Sequence, residues 1–202
     1  MDIDPSDLIE TARQAREQQD ARAARLNAAV AITVAVLATF MGICKVKDDN
    51  IVQGMQQAQA DKIDHWAFYQ ARNLRQEVAE ATAAQIELSA LSAPPAATSA
   101  HAAMRERYQT LAREQALKKE ELKALAEQDQ KTYDALNYRD DQFDLSDALI
   151  AIAIAMLAVT ALTRLWALYW ASLVPTVLGV LMGVAGLAAL PIHPDALIRL
   201  LS

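Results

Sequence analysis

The chain has 202 residues, of which 53% are hydrophobic but only 5% aromatic, and it carries a net charge of −6. Much of the apolar content is alanine, which loses no side-chain entropy in a helix, so long helices are favoured over a packed β core. The stretch 45–147 holds 13 Lys and Arg against 18 Asp and Glu, which argues against a nucleic-acid grip, because that needs clustered positive charge to replace counterions.

The first predicted element is a helix over residues 1–25. Ser6 is placed to cap it, with Asp7 and Glu10 in its first turn. Arg13, Arg16, Arg22 and Arg25 suit either lipid phosphates or a plain solvated face. Residues 26–44 then run without a charge, from Leu26 to Cys44. A hydrocarbon core about 30 Å thick needs about 20 apolar residues of helix, so this is the first span. The mixed-charge 25-residue lead is unlike the short basic start of a signal peptide. Cys44, the single cysteine, cannot form an internal disulfide. It reads as a small apolar residue at the membrane edge.

Residues 45–146 form a long arm outside the bilayer. No glycine occurs between Met55 and Leu178, and the one strong breaker in the arm is the segment 92–99 around Pro94 and Pro95. The expected arrangement is an antiparallel helical hairpin, coiled-coil-like, turning at 92–99. Each limb has about 45 residues, roughly 65 Å at 1.5 Å per residue. The expected seam on the first limb is Ala67, Ala71, Leu74, Val78, Ala81 and Leu88, with Gln85 at one position. On the second limb it is Met104, Tyr108, Leu111, Leu122, Leu125, Leu136 and Phe143, interrupted by polar positions such as Gln115. Two helices alone bury little surface, so a homo-oligomer is expected.

The second span is predicted over 147–170. Arg164 snorkels in this reading, and Trp166, Tyr169 and Trp170 form an aromatic belt. The third span is predicted over 172–190, with Pro191 and Pro194 ending it and 191–202 as a short tail. Gly179, Gly183 and Gly186 are candidates for close helix packing, since small residues four apart share one face.

The segment Trp66-Ala67-Phe68-Tyr69-Gln70-Ala71 resembles the core motif of the bacterial membrane proteins grouped as DUF4337, with Arg72 where a lysine is usual. Phe143 to Ala155, followed by Leu162-Thr163-Arg164 and Trp166, resembles that family's last two spans. The resemblance covers about residues 25–188. It implies a span, a charged helical region and a terminal pair of spans in a bacterial membrane, and it carries over no activity.

Among candidate sites, Trp66, Phe68, Tyr69 and Gln70 suggest a contact surface. On a helix Trp66 and Tyr69 lie to one side and Phe68 to another. Asp48 and Asp49 after the first span, and Asp140, Asp141, Asp144 and Asp147 before the second, gather at the membrane mouths. In an oligomer they would form an acidic ring of the kind that selects cations; alone they are a solvated boundary. The polar residues of the spans include Thr33, Thr39, Thr160 and Thr163, with Asn27 at the rim, and no Asp, Glu, Lys or His lies deep in a span. That disfavours ion-coupled transport, which uses intramembrane ionisable groups. There is no phosphate loop, no His-Glu-x-x-His and no cysteine pair. His65, His101 and His193 are scattered, and Lys118, Lys119, Glu120 and Glu121 read as a solvated face.

The expectation is therefore an all-α integral membrane protein with three transmembrane helices and no cofactor, metal or catalytic residue. Its expected partners are membrane lipid, further copies of itself and an unidentified protein, not nucleic acid. The expected role is a non-enzymatic scaffold, with a passive pore as the alternative. The four arginines before the first span and Arg164 place those ends in the cytoplasm and the arm in the periplasm of a bacterial inner membrane, although Lys45 and Lys47 oppose this.

Overall fold

A computed structural model describes residues 5–192, with the side chains of residues 5–8 left aside. The Ser6 side chain, and with it the expected cap, and His193, Pro194 and the tail beyond therefore lie outside what is described. The described chain is all helix and turn: α1 (Pro5–Ala90), a short 3-10 turn (Pro95–Ala97), α2 (Thr98–Thr163) and α3 (Trp166–Ala188). Each of the three helices has a window long and apolar enough to cross a membrane.

The chain divides into two compact units. The first joins residues up to Ile51 to those from Tyr138 onward. Its core is Leu26, Val30 and Leu37 of α1 against Ile150, Ala153 and Leu157 of α2, flanked by Phe40, Tyr169 and Val180. A second cluster joins Leu145, Met182 and Ala185. The α1 positions buried here, from Leu26 through Leu37 and Cys44 to Asp48 and Ile51, recur at the three- and four-residue spacing of one helix face. The outward residues of these windows, Ile32, Val36, Ile152, Leu162, Val174 and Leu181 among them, are themselves large and apolar. That surface suits lipid. Thr33, Thr39, Thr160 and Thr163 each donate to the carbonyl four residues back, so the span hydroxyls are satisfied within their own helices.

The break between the last two helices falls earlier than expected. α2 ends at Thr163, and Trp166 opens α3 instead of continuing the second span. Arg164 takes a left-handed backbone (φ 56°), with its amide donating to the Thr160 carbonyl at 2.8 Å. Leu165 is extended. Arg164 thus acts as a left-handed helix stop of the kind usually made by glycine. Pro175, within the predicted third span, lies inside α3. There the Thr176 hydroxyl donates to the Ser172 carbonyl and the Ser172 hydroxyl to the Tyr169 carbonyl.

The second unit is Val52–Asn137. Between its α1 and α2 segments Lys62 meets Gln130, His65 meets Asp129, Arg72 meets Gln115, and Glu87 meets Arg105. The expected first-limb seam is not the one used. Ala67, Ala71, Leu74, Val78, Ala81, Gln85 and Leu88 are all exposed. The α1 residues facing α2 are Ala58, Lys62, His65, Tyr69, Arg72, Gln76, Ala79, Ala83 and Ile86, all buried or half-buried. Two causes act together. Buried Ala79, Ala83, Ala112 and Ala126 let the helices approach closely, and the polar seam residues find polar partners across the contact. On α2, Tyr108, Leu122 and Leu136 do turn inward, whereas Met104, Leu111 and Leu125 are exposed. Phe143 is buried in the first unit, against Gly186.

Candidate functional site

The first unit brings the two acidic groups together. Asp48 occupies a buried position of the α1 face and is only 4% exposed. Its Oδ2 accepts from Lys45 Nζ at 2.7 Å, and Lys45 also lies 3.5 Å from the exposed Asp49. Opposite, on α2, stand Asp140, Asp144 and Asp147, which feel the charge of Asp48. Burial, then the hydrogen bond to Asp48 and the neighbouring carboxylates, push the Asp140 carboxyl up to about 7. Burial and the Asp48 charge also raise Asp144, against the opposing pull of Lys45. The ammonium of Lys45 is held above its usual range by Asp48.

Asp48 Oδ1 receives no N–H or O–H from the ordinary donors around it. Like charges side by side disfavour joint ionisation, in keeping with the raised Asp140 and Asp144 carboxyls. Asp147 Oδ1 is also buried without a partner. Among the described residues no group of three or more His, Cys, Asp or Glu could hold a metal ion.

Beside this cluster, α2 ties down the end of α3 through residues that the sequence reading passed over. Arg139 donates to the Gly186 carbonyl from Nε at 3.3 Å and Nη2 at 2.9 Å. The fully buried Gln142 donates to the carbonyls of Leu190 (2.9 Å) and Ile192 (2.6 Å). Ser146 donates to the Gly179 carbonyl at 2.8 Å. A cation at a helix C-terminus satisfies orphan carbonyls and opposes the helix dipole. The signal was the run Arg139, Gln142, Ser146, polar residues on one face just before the apolar window.

The three glycines of α3 lie where side chains would collide. A Cβ at Gly179 would stand 2.8 Å from Ile150 Cγ1 and 3.2 Å from the Ile150 backbone nitrogen. At Gly183 it would stand 2.7 Å from Phe40, and at Gly186 2.9 Å from Phe143. Tyr169 sits edge-on to both Trp166 and Trp170, and its hydroxyl is 3.2 Å from Thr33 Oγ1.

In the second unit the aromatic motif divides. Trp66 and Tyr69 pair edge-to-face at 5.2 Å, half-buried on the side toward α2. Phe68 is 59% exposed, and Gln70 is exposed beside it. Lys119, expected in a solvated face, instead donates to Asn73 Oδ1 at 3.0 Å and lies 5.9 Å from the Tyr69 ring centre, because its α2 position points into the seam. His65 Nδ1 is 2.7 Å from Asp129 Oδ2, and His101 Nδ1 is 2.8 Å from the Ala97 carbonyl oxygen. These histidines serve separate local contacts.

No curated protein and no solved structure matches the chain. A sequence profile described as a domain of unknown function, DUF4337, matches residues 26–189, and the protein belongs to that family.

Proposed function

We propose that the protein is a non-enzymatic, membrane-anchored helical scaffold that associates with further copies of itself through its arm and spans. In this reading the arm is an extramembrane antiparallel hairpin of coiled-coil type, placed in the periplasm of a bacterial inner membrane. The N-terminus is cytoplasmic, and an unidentified protein partner can join the assembly.

One observation carries the reading. Across residues 52–137, a charged region, Ile63, Phe68, Leu74, Val78, Leu88, Met104, Leu111, Leu117 and Leu125 are exposed, while the intrachain seam draws largely on polar residues and alanine, with Ile86, Leu122 and Leu136 among the few large apolar side chains in it. Exposed apolar residues of that number on a water-facing arm mark a contact surface. The test is the mass of the complex extracted from membranes with its surrounding lipid in polymer-bounded discs. More than one chain per disc supports the scaffold; a uniform single chain removes it.

A second reading, a passive oligomeric pore with Asp48, Asp49, Asp144 and Asp147 at its mouth, draws support from the gathered carboxylates and the unpartnered Asp147 Oδ1. Reconstituted protein would then pass cations, and Asp147→Asn would change the current. Identical leak in protein-free vesicles would end that reading.

A further inference from the structure

The exposed residues of the α1 arm are not scattered. Ala67, Ala71, Leu74, Val78, Ala81, Gln85 and Leu88 follow one another at alternating spacings of four and three, the repeat of a coiled-coil seam. Leu74 is 62% exposed, Val78 57% and Leu88 68%. The contact with α2 uses the other face of the same helix, through Ala58, Lys62, His65, Tyr69 and Arg72, so the stripe is left over after the chain has folded on itself.

We propose that this stripe is the interface between two copies of the chain, meeting parallel and in register. The proposal deepens the self-association reading and rests on it. The stripe itself names the occupant. In heptad terms Ala71, Val78 and Gln85 fall at a, and Ala67, Leu74, Ala81 and Leu88 at d. A β-branched residue at a with leucine at d favours two parallel strands.

Gln85 is the discriminating residue. In a parallel, in-register pair it faces the same Gln85 of the second copy, and the two amides hydrogen-bond each other. In an antiparallel pair each a position faces a d position, and every d position here is alanine or leucine, which leaves the amide unmatched. A single polar a residue sets register and orientation in this way.

The flanking positions agree. Across a parallel pair Gln70 would face Arg75, Glu77 would face Thr82, and Ala84 would face Ser89, so no like charges meet. From Ala67 to Leu88 the stripe is about 32 Å long and about 10 Å wide. Two copies would bury roughly 650 Å² in all, less than a free-standing specific interface commonly has. The arm interface therefore depends on anchoring, which raises the effective concentration of the second copy.

The test is cross-linking of the full chain in its membrane. In a Cys44→Ala background, single cysteines are placed by Leu74→Cys, Leu88→Cys or, on a face away from the stripe, Glu80→Cys, and treated with a short bismaleimide. All three sites are exposed, and an unchanged melting temperature shows that each variant folds. The expected result is homodimer at both Leu74→Cys and Leu88→Cys, about tenfold more than at Glu80→Cys, because only stripe positions are held together by the anchored pair. Cross-linking that is equal at all three sites overturns the stripe.

Heterodimers of Leu74→Cys with Leu88→Cys that outweigh both homodimers overturn the parallel register. Capture of a different protein at Leu74→Cys overturns the second copy as occupant. Multi-chain discs without cross-links at either stripe position overturn this interface and leave self-association standing. Single-chain discs remove both.

Discussion

The guanidinium of Arg72 donates to Gln115 Oε1 at 3.0 Å, across the contact between α1 and α2. Gln115 is only 5% exposed, so the seam between these helices is held at this level by a polar pair. Leu74, two residues along α1, faces outward. The contrast yields a direct comparison. Arg72→Ala strands a buried amide oxygen and should cost about 1–3 kcal/mol. Leu74→Ala should change the stability of a dilute, single-chain preparation by no more than about 0.5 kcal/mol. Thermal unfolding followed by loss of helicity measures both, and a larger loss for Leu74→Ala would contradict the assigned seam.

Glycine to alanine substitutions should act oppositely at two positions. A Cβ at Gly42 meets nothing within 4 Å, so Gly42→Ala should stabilise α1 by up to about 1 kcal/mol through helix propensity. At Gly179 the Cβ meets Leu149 Cβ at 3.1 Å and the Ile150 backbone, which cannot turn aside as a flexible side chain can. Gly179→Ala should lose about 1–3 kcal/mol to overpacking. Denaturant titrations of the two variants beside the parent decide it, and a stabilised Gly179→Ala would mean that α3 is not seated so closely.

The acidic cluster predicts a pH dependence of definite sign. Asp140 titrates near 7 in the folded chain, against 3.8 for an ordinary aspartate. Because its folded value is raised, its contribution is fully present below about pH 4 and is lost as pH rises through 7. Asp144, also raised, adds in the same direction. The melting temperature of the parent relative to Asp140→Asn should therefore fall between pH 4 and pH 8. Parallel profiles for the two proteins would show that Asp140 is an ordinary carboxylate.

Gln142 should govern the end of α3. Its amide nitrogen holds the carbonyls of Leu190 and Ile192, beside the Leu190 amide that closes on the Ala185 carbonyl at 2.9 Å. Gln142→Leu keeps a similar side-chain volume but removes both donated bonds, and should loosen this turn by about 1–3 kcal/mol. Hydrogen exchange at the Leu190 amide should speed up accordingly, while exchange at the middle of α3 stays as in the parent.

The sequence by itself determined the helices, the three apolar windows and the turn at Pro94 and Pro95. Each of these is a local property: uninterrupted apolar length, missing glycine, or a ring that cannot donate an amide proton. Tertiary structure alone decided the rotational phase. The arm of α1 carries two heptad stripes, one apolar at Ala67 to Leu88 and one mixed at Ala58 to Ile86. Which of them meets α2 depends on Gln115, Lys119 and Asp129, more than 40 residues away in the chain. The same holds for Asp48, which looks like a boundary charge until its helix face turns it toward Asp140. Arg164 shows the remaining limit: a left-handed stop at a residue other than glycine leaves no compositional mark, because the geometry of the chain on either side, and not the residue, sets it.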